Sequence, residues 1–397
     1  MNAAILVLNS GSSSIKFALY PSAGAEGERS ALYHGEISGI GDVAQLNARN
    51  TKGETVAEMA VTGPATHHTA LSTLLTWIAK HSSGIELAAA GHRVVHGGSE
   101  FTGPVRLTPA IVDKLTQLNP LAPLHQPHNL AAIAALTQLH PMLPQVACFD
   151  TSFHTTQTAL ARAFALPRTL STKGIKRYGF HGLSYEYIAS VLPEHLGPKA
   201  DGKVVVAHLG HGASLCAMLG RKSVATTMGF SALDGLVMGR RCGALDPGVV
   251  LYLLDQEAMS SKQITHLLYE ESGLFGVSGV SDDMRELLAS HNPHAAEAVE
   301  LFVYRIVREL GSLIAALGGL DALVFTGGIG EHSSEIRARV CRQAAWLGLI
   351  LDKHANDAGR PTISTHGSAV SLLTLPTDEE YVIARHARAL TDLQQAS

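Results

Sequence analysis

Three glycine-bearing loops, two arginines and two acids are the parts of this 397-residue chain whose types and spacing could do chemistry. The loops are Asn9-Ser10-Gly11-Ser12-Ser13-Ser14, His208-Leu209-Gly210-His211-Gly212-Ala213-Ser214 and Thr326-Gly327-Gly328-Ile329-Gly330-Glu331. The arginines are Arg93 and Arg241, and the acids, each just after an apolar run, are Asp150 and Glu379. Small side chains leave backbone N–H groups free to wrap an anion. Guanidinium groups can neutralise a moving phosphoryl group, and carboxylates can hold Mg²⁺. Together these are the parts of a phosphoryl-transfer site, where positioning and electrostatics dominate. Other chemistries fit less well. No glycine precedes Lys16 and no Ser or Thr follows it, so the first loop is not a Walker A loop. There is no G-x-S-x-G elbow. The first apolar run leads into a hairpin and not into a G-x-G-x-x-G helix.

The elements that must carry these residues are legible in the apolar periodicity. Ile5–Leu8 and Ile15–Tyr20 read as buried strands around a polar tip, which is either a plain hairpin turn or a phosphate loop. Lys203–Ala207 and Leu215–Leu219 repeat that layout around His208–Ser214, which suggests a duplicated unit. Ile85–Val95 reads as a strand with Arg93 and Val95 on one face and His92, Val94 and His96 on the other. A cation beside an apolar side chain suits a ligand that is half anion and half hydrocarbon; a structural ion pair at a strand end is the alternative. Gln145–Asp150 places its one charge at the carboxyl end of a strand, where α/β sheets bind ligands, or where an Asp caps a turn. Ala322–Phe325 is a strand, and Thr326–Glu331 a glycine turn before a helix capped by Ser333 or Ser334, a geometry that suits a nucleotide's phosphates. Helices are expected at Leu71–Lys80, Pro109–Leu118, Asn129–Leu139, from Pro247 to about Gln256, and at Ala295–Ala316. Ser30–Ile37 reads as a strand, and Ser272–Arg285 as a glycine-rich connection.

Bulk properties are those of an ordinary globular chain long enough for two domains. Hydrophobic residues make up 46% and charged residues 16%, and 34 acids against 30 bases give a net charge of −4. That balance points to no nucleic-acid and no membrane surface. No apolar run is long enough to span a bilayer and no leader pattern is seen, so a cytoplasmic location is expected. Cys148, Cys216, Cys242 and Cys341 lack zinc spacing and read as reduced, mostly structural thiols. The 21 histidines show no H-E-x-x-H spacing, which argues against a histidine-rich metal-binding protein.

Longer stretches carry a resemblance. Asn9-Ser10-Gly11-Ser12-Ser13-Ser14-Ile15-Lys16-Phe17, His92-Arg93-Val94-Val95-His96-Gly97-Gly98, Ala122-Pro123-Leu124-His125, Phe149-Asp150-Thr151, Arg177-Tyr178-Gly179-Phe180-His181-Gly182, His208-Leu209-Gly210, Phe325-Thr326-Gly327-Gly328-Ile329-Gly330-Glu331 and Pro376-Thr377 with Glu379-Glu380 resemble the acetate kinases, in order and over nearly the whole chain. That family belongs with sugar kinases, heat-shock chaperones and actin. The resemblance implies an α/β fold of two duplicated ribonuclease-H-like domains (the actin-like ATPase fold) with the active site in the interdomain cleft. It implies an N-terminal acyl and metal-side domain over 1–150, a nucleotide-binding domain over 151–385, and a last helix, about 386–397, that returns to the first domain. The implied reaction is reversible phosphoryl transfer from ATP to acetate, giving acetyl phosphate and ADP. Mg²⁺ is the implied metal, with Mn²⁺ able to substitute, and the implied assembly is a homodimer.

Residue by residue, the resemblance implies that Arg93 holds the carboxylate or acyl phosphate, and that Val95, Leu124 and Phe180 surround the methyl group. It implies that His125, His181 and Arg241 stabilise the phosphoryl group in flight. Asn9 and Glu379 would serve the metal. Lys16, His208, Leu209, Gly210, His211, Gly212, Asp283, Met284, Arg285, Gly328, Ile329, Gly330, Glu331 and His332 would contact nucleotide. Asp150 matches the family's catalytic aspartate. Acetate is already ionised near neutral pH, so no base is needed, and Asp150 is expected to organise Mg²⁺ and Arg241. Several positions depart from the family pattern: Gln126, His211 and His332 stand where Asn is usual, Arg240 where Thr is, Asp378 where Asn is, and Ala232 where Pro is. The smaller Ala232 could enlarge the acyl pocket, and one methylene there is worth about 1–3 kcal/mol. The rivals are therefore a propionate or other short-chain acyl kinase with the same site, and a nucleotide-gated ATPase of the same superfamily.

Overall fold

The run Ile5-Leu6-Val7-Leu8 is almost fully buried. It lies at the centre of an eight-stranded sheet because it has neighbours on both edges to satisfy its backbone. The computed structural model describes residues 2–23, 29–81 and 85–391. They divide into two units, Met1–Ser152 with Asp378–Ser397, and Phe153–Thr377. The returning segment thus begins at Asp378, earlier than the 386 expected, and its residues 392–397 lie outside the described residues.

The first unit's strands are β1 Asn2–Ser10, β2 Ser14–Pro21, β3 Tyr33–Ser38, β4 Gln45–Asn50, β5 Thr55–Ala60, β6 Ile85–Val94, β7 Val105–Arg106 and β8 Gln145–Phe149. Their order is β5-β4-β3-β2-β1-β6-β8-β7. β1 runs antiparallel to β2 and parallel to β6, which runs parallel to β8. Helix His67–His81 lays Leu71, Leu74, Trp77 and Ile78 against Leu6, Leu8, Ile15 and Phe17. Each such buried side chain contributes about 1.5–3 kcal/mol. The strand expected at Ser30–Ile37 starts only at Tyr33.

The second unit's strands are β9 Lys203–Leu209, β10 Ala213–Leu219, β11 Lys222–Thr226, β12 Ala322–Thr326 and β13 Ser371–Thr374, in the order β11-β10-β9-β12-β13. β9 runs antiparallel to β10 and parallel to β12, which runs parallel to β13. The order β3-β2-β1-β6-β8 therefore recurs as β11-β10-β9-β12-β13, and the two glycine hairpins occupy equivalent places. The long helix is Pro293–Leu317, started by the Asn292 side chain on His294 N–H and closed at Gly318, whose φ is 70°.

Two expectations are corrected. Ser272–Arg285 is not merely a connection. It contains helix Gly273–Ser278 and the start of Met284–Ala289, which Asp283 caps by accepting from Arg285 N–H. Gly327–His332 is itself a short helix and not a turn. Gly327 has a φ of 77°, and a Cβ there would come 2.9 Å from the Leu209 carbonyl oxygen, so only glycine lets this helix start against β9. The four cysteines are free, with Cys148, Cys216 and Cys341 buried. Among the described residues no helix is long and apolar enough to cross a membrane.

Candidate active site

In the first unit, Asn9, Arg93 and Asp150 stand at the carboxyl ends of the adjacent strands β1, β6 and β8. Arg93 donates from Nε and Nη2 to the two Asp150 oxygens at 3.0 and 2.6 Å, and from Nη1 to Asn9 Oδ1 at 3.1 Å. Its Nε lies 3.9 Å from Glu379 Oε2. A two-point contact of this kind is the strong form of an arginine–carboxylate pair. Burial opposes the Arg93 charge, but Asp150 and Glu379 outweigh it and hold its pKa above the ordinary value. Glu379 is pushed up to about 7, by burial first, with Arg93 lowering it and Asp150 and Glu380 raising it. Lys16, on the strand facing Asn9, also lowers the Glu379 pKa.

The backbone around this cluster explains its placement. Glu379 opens helix Glu379–Leu390, which Asp378 caps by accepting from Tyr381 N–H, and carboxylates are favoured in that first turn. The helix lies directly on β6 because Gly91 has no side chain: a Cβ there would sit 2.4 Å from Ile383 Cγ2. Asn129 accepts from Val95 N–H at 3.0 Å and donates to the Ser10 carbonyl at 2.6 Å, tying the hairpin tip to the end of β6. Gln126 accepts from His96 N–H and donates to the His96 carbonyl, both at 3.1 Å. Val95 is buried, Leu124 is 40% exposed, and His125 immediately precedes helix Gln126–Leu139. The alternation read along β6 holds for His92, whose Nε2 pairs with Gln145 Oε1 at 2.8 Å away from the arginine cluster.

The oxygen donors here suit a hard divalent cation. Asn9, Asp150 and Glu379 supply one amide and two carboxylates, and Mg²⁺ is commonly held by one or two carboxylates plus substrate phosphates. Two carboxylates share one guanidinium. Among the described residues there is no group of three or more His, Cys, Asp or Glu able to hold a metal.

In the second unit, His181, His208, Gly212 and Arg241 converge. His181 precedes helix Gly182–Leu196 in a left-handed conformation, φ 59° and ψ 24°, which is uncommon outside glycine. Its ring stacks on His208 at 4.3 Å between centroids. A Cβ on Gly212 would lie 2.8 Å from Arg241 Nη2 and 3.0 Å from His181 Nε2, so the bare backbone of the loop is what lets both groups approach. Arg241 Nη1 donates to the Ala232 carbonyl at 2.6 Å. Gly179 (φ 77°) is required as well, because a Cβ there would meet the buried His154 ring at 2.6 Å. Phe180, expected with Val95 and Leu124 around the methyl group, is buried in this second unit.

A cavity of about 850 Å³ lies in the same unit, lined by Gly210, His211, Asp283, Met284, Arg285, Gly328, Ile329 and His332 among others. These are eight of the residues expected to contact nucleotide. Four more do not line it: His208 and Leu209 end β9, Gly212 follows in the hairpin loop, and Gly330 lies in the short helix Gly327–His332. Glu331 turns the other way: its Oε1 accepts from Gly327 N–H at 2.9 Å and Thr377 N–H at 3.2 Å, bracing the loop. Arg337, 1% exposed, pins the same loop by donating to the carbonyls of Gly330 and Glu331 and to Asn356. Arg285 is largely exposed and pairs with Asp283, whose carboxyl it holds down at about 2.

Sequence reasoning missed Asp282, which also lines the cavity. It accepts from Arg240 Nε at 2.6 Å and His211 Nε2 at 3.3 Å, so two departures from the family pattern meet on one carboxylate. Arg240 also lies 4.5 Å over the Phe275 ring. In Ser281-Asp282-Asp283 nothing local distinguishes the bridging acid from the capping one. Asn129, Arg337, Ser214 and Tyr185 were missed for the same reason: their partners are distant in sequence or one of several nearby choices.

Comparison with known proteins bears on the family and the fold. Residues 4–385 match the model of the acetokinase family. The chain is 58% identical over 395 residues to an acetate kinase of Rhodopseudomonas palustris, covering 99% of each. Among solved structures, an acetate kinase of Porphyromonas gingivalis superposes with a TM-score of 0.88 at 36% identity, covering 98% of this chain and 99% of that one. A propionate kinase of Francisella tularensis superposes with a TM-score of 0.90 at 34% identity, covering 98% of this chain and 100% of that one. The two-domain α/β fold is thus that of the acetate and propionate kinases, and the chain belongs to the acetokinase family.

Proposed function

We infer that this protein is an acetate kinase: an ATP-dependent phosphotransferase that moves the γ-phosphoryl group to the acetate carboxylate, giving acetyl phosphate and ADP, and back. The observation that carries this reading is the Arg93 cluster, an arginine held by Asp150 and Asn9 at the carboxyl ends of three adjacent strands. The site roles are those the family resemblance implies. Arg93 binds the carboxylate of acetate or the acyl phosphate; Val95, Leu124 and Phe180 enclose the methyl group. His125, His181 and Arg241 donate to the phosphoryl oxygens as charge develops. Lys16, His208–Gly212, Asp283–Arg285 and Gly328–His332 of the short helix serve the nucleotide, Glu331 by bracing the start of that helix. Asn9 and Glu379 would hold Mg²⁺, or Mn²⁺ in its place, with Asp150 organising that side, and the ion would supply charge neutralisation for the phosphoryl group. Asp150 acts by holding Arg93 and the metal side in register; the acetate is already an anion and gives up no proton.

The first unit, 1–152 with 378–397, serves the acyl substrate and metal, and the second, 153–377, serves the nucleotide. The working form is a cytoplasmic homodimer. Supporting it, helix Pro247–Asp255 has no buried residue, with Leu251 and Tyr252 59% and 55% exposed, an apolar face that a second copy would cover. Sedimentation of the purified chain checks this.

A second reading, preference for propionate, is favoured by Ala232. It stands where the family usually has proline, and its carbonyl holds Arg241. Trapping acyl phosphate as hydroxamate with acetate, propionate and butyrate tests both readings. Product from acetate is expected, with measurable product from propionate. ATP hydrolysis without acyl phosphate would sink both, in favour of a nucleotide-gated ATPase.

A further inference from the structure

The run from Thr151 to Tyr185 contains no Asp or Glu, while Arg162, Arg168, Lys173, Lys176 and Arg177 all fall within it, in a chain whose net charge is −4. Folding sorts these cations. Arg168 and Lys173 are exposed, where water satisfies them. Arg177 donates to Asp234 Oδ2 at 3.2 Å and lies 5.0 Å over the Phe164 ring. Arg162 and Lys176 are half-buried. Arg162 Nε is wholly buried with no hydrogen-bond partner. Among the described residues no carboxylate pairs with either cation. The backbone sets the two next to each other, because Arg177 N–H donates to the Arg162 carbonyl at 2.8 Å, at the end of the short helix Ala159–Arg162. Lys176 Nζ lies 5.2 Å over the Tyr178 ring. Burial first, and then the charge of Arg162, hold the Lys176 pKa below its ordinary value.

Two cations held together partly out of water, without a counter-charge, each keep their desolvation penalty and also repel. Native proteins seldom leave such a donor unmatched. Asp234, the acid that reaches this segment, is already taken by Arg177. A guanidinium cannot shed its proton to escape the penalty. An anion relieves it: the guanidinium fork accepts two oxygens side by side, the ammonium adds a third point, and the paired charges match a dianion. The half-buried setting suits a small ion, since a macromolecule needs a broad exposed surface.

We propose that Arg162 and Lys176 form a binding site for a small tetrahedral oxyanion of the phosphate type, outside the nucleotide cavity. Neither residue lines that cavity. The site does not depend on the kinase reading. Arg162 holds the ion through its Nη groups, because its Nε is closed off from solvent. Lys176 holds it from the other side, and exposed Arg168 and Lys173 add to the field that draws it in. Lys176 also begins the segment that runs through Tyr178 to Phe180 and His181, so the bound ion steadies the approach to those residues.

The test follows thermal unfolding of the full-length protein near neutral pH, with chloride replaced stepwise by inorganic phosphate at constant ionic strength. The wild-type Tm is expected to rise with phosphate. Phosphate held at the candidate active site would stabilise wild type and variants alike, so the difference between them reads this site. Loss of one charge-assisted contact weakens binding roughly ten- to a hundredfold, and the phosphate dependence of R162M and of K176M should shift to higher concentration by that factor. R168M, at an exposed cation of the same segment, should keep the wild-type response. In chloride alone R162M should unfold no lower than the wild type, because an unmatched cation has been removed. A wild type that gains nothing from phosphate over chloride overturns the site, as does an undiminished response in R162M or K176M. An R162M protein clearly less stable than the wild type in chloride overturns it too, because the fold itself would then be satisfying Arg162.

Discussion

Arg93 and Asp150 meet through two parallel hydrogen bonds, and that pairing limits what either can do. An aspartate committed to a guanidinium through both oxygens holds a position; it does not ferry protons. Asp150→Asn keeps the shape but removes the charge that balances Arg93. We expect it to lower kcat by about a hundredfold or more, as loss of preorganised electrostatics does. The Mg²⁺ concentration for half-activity should rise and the pH–rate profile keep its shape. Loss of one titrating limb from that profile, with metal dependence unaltered, would reverse the assignment. Several departures from the family pattern become intelligible at this scale. Gln126 is long enough to bond both backbone groups of His96, and Asp378 caps the helix that carries Glu379. His211 and Arg240 share Asp282 at the cavity. Asp282→Ser should release both and raise the ATP KM about two- to fivefold with kcat little changed, in keeping with the roughly 0.2–1 kcal/mol of a partly exposed ion pair. Steady-state kinetics with ATP varied would measure it.

Elements carry the site by close approach, and the glycines mark where. Helix Glu379–Leu390 brings Glu379 to Arg93 only because it rests on the bare backbone of Gly91. Gly91→Ala would set a Cβ 2.4 Å from Ile383 Cγ2. An overpacked contact of this kind costs about 1–3 kcal/mol. The variant should unfold at lower urea and also need more Mg²⁺, because lifting the helix moves Glu379. Lower stability with unchanged metal dependence would mean that the helix shifts without disturbing the carboxylate. The hairpins, the strand carrying Arg93 and the long helix Pro293–Leu317 were legible from apolar runs and caps, since local sequence controls both. Helix Gly273–Ser278 was not. Its glycines read as a loop, and it forms where Gly273 takes a φ of 66° against the Met238 carbonyl, a contact no local pattern announces.

Burial holds His92 in the first unit and His154 in the second in their neutral form. His92 pairs with Gln145, and His154 lies between Ser223 and the Phe180 carbonyl. Burial lowers each pKa from 6.5 to about 4. Between those values the unfolded chain binds protons that the folded chain does not. From these two histidines stability is therefore full above about pH 6.5 and falls as pH drops towards about 4, while Glu379, held up at about 7, takes up its proton in the folded chain first and offsets part of that fall. Each histidine contributes on the order of 3 kcal/mol over that range. Urea unfolding from about pH 7 down to about pH 4.5 would follow it, and a flat midpoint over that range would contradict it.

The amino-acid sequence alone determined the pattern of strands and helices, the duplicated glycine hairpins and the family. Those follow from periodicity, turn chemistry and contiguous motifs, all of which are local. Only the tertiary structure decided that Asp150 faces Arg93, that Glu331 braces its own loop, that Asp282 gathers His211 and Arg240, and that Ser214 and Tyr185 stand behind His181. Each of these depends on which of several chemically equivalent side chains the folded backbone brings within about 3 Å, the reach of a hydrogen bond. Residues far apart in the chain carry no mark of that distance until the sheets form.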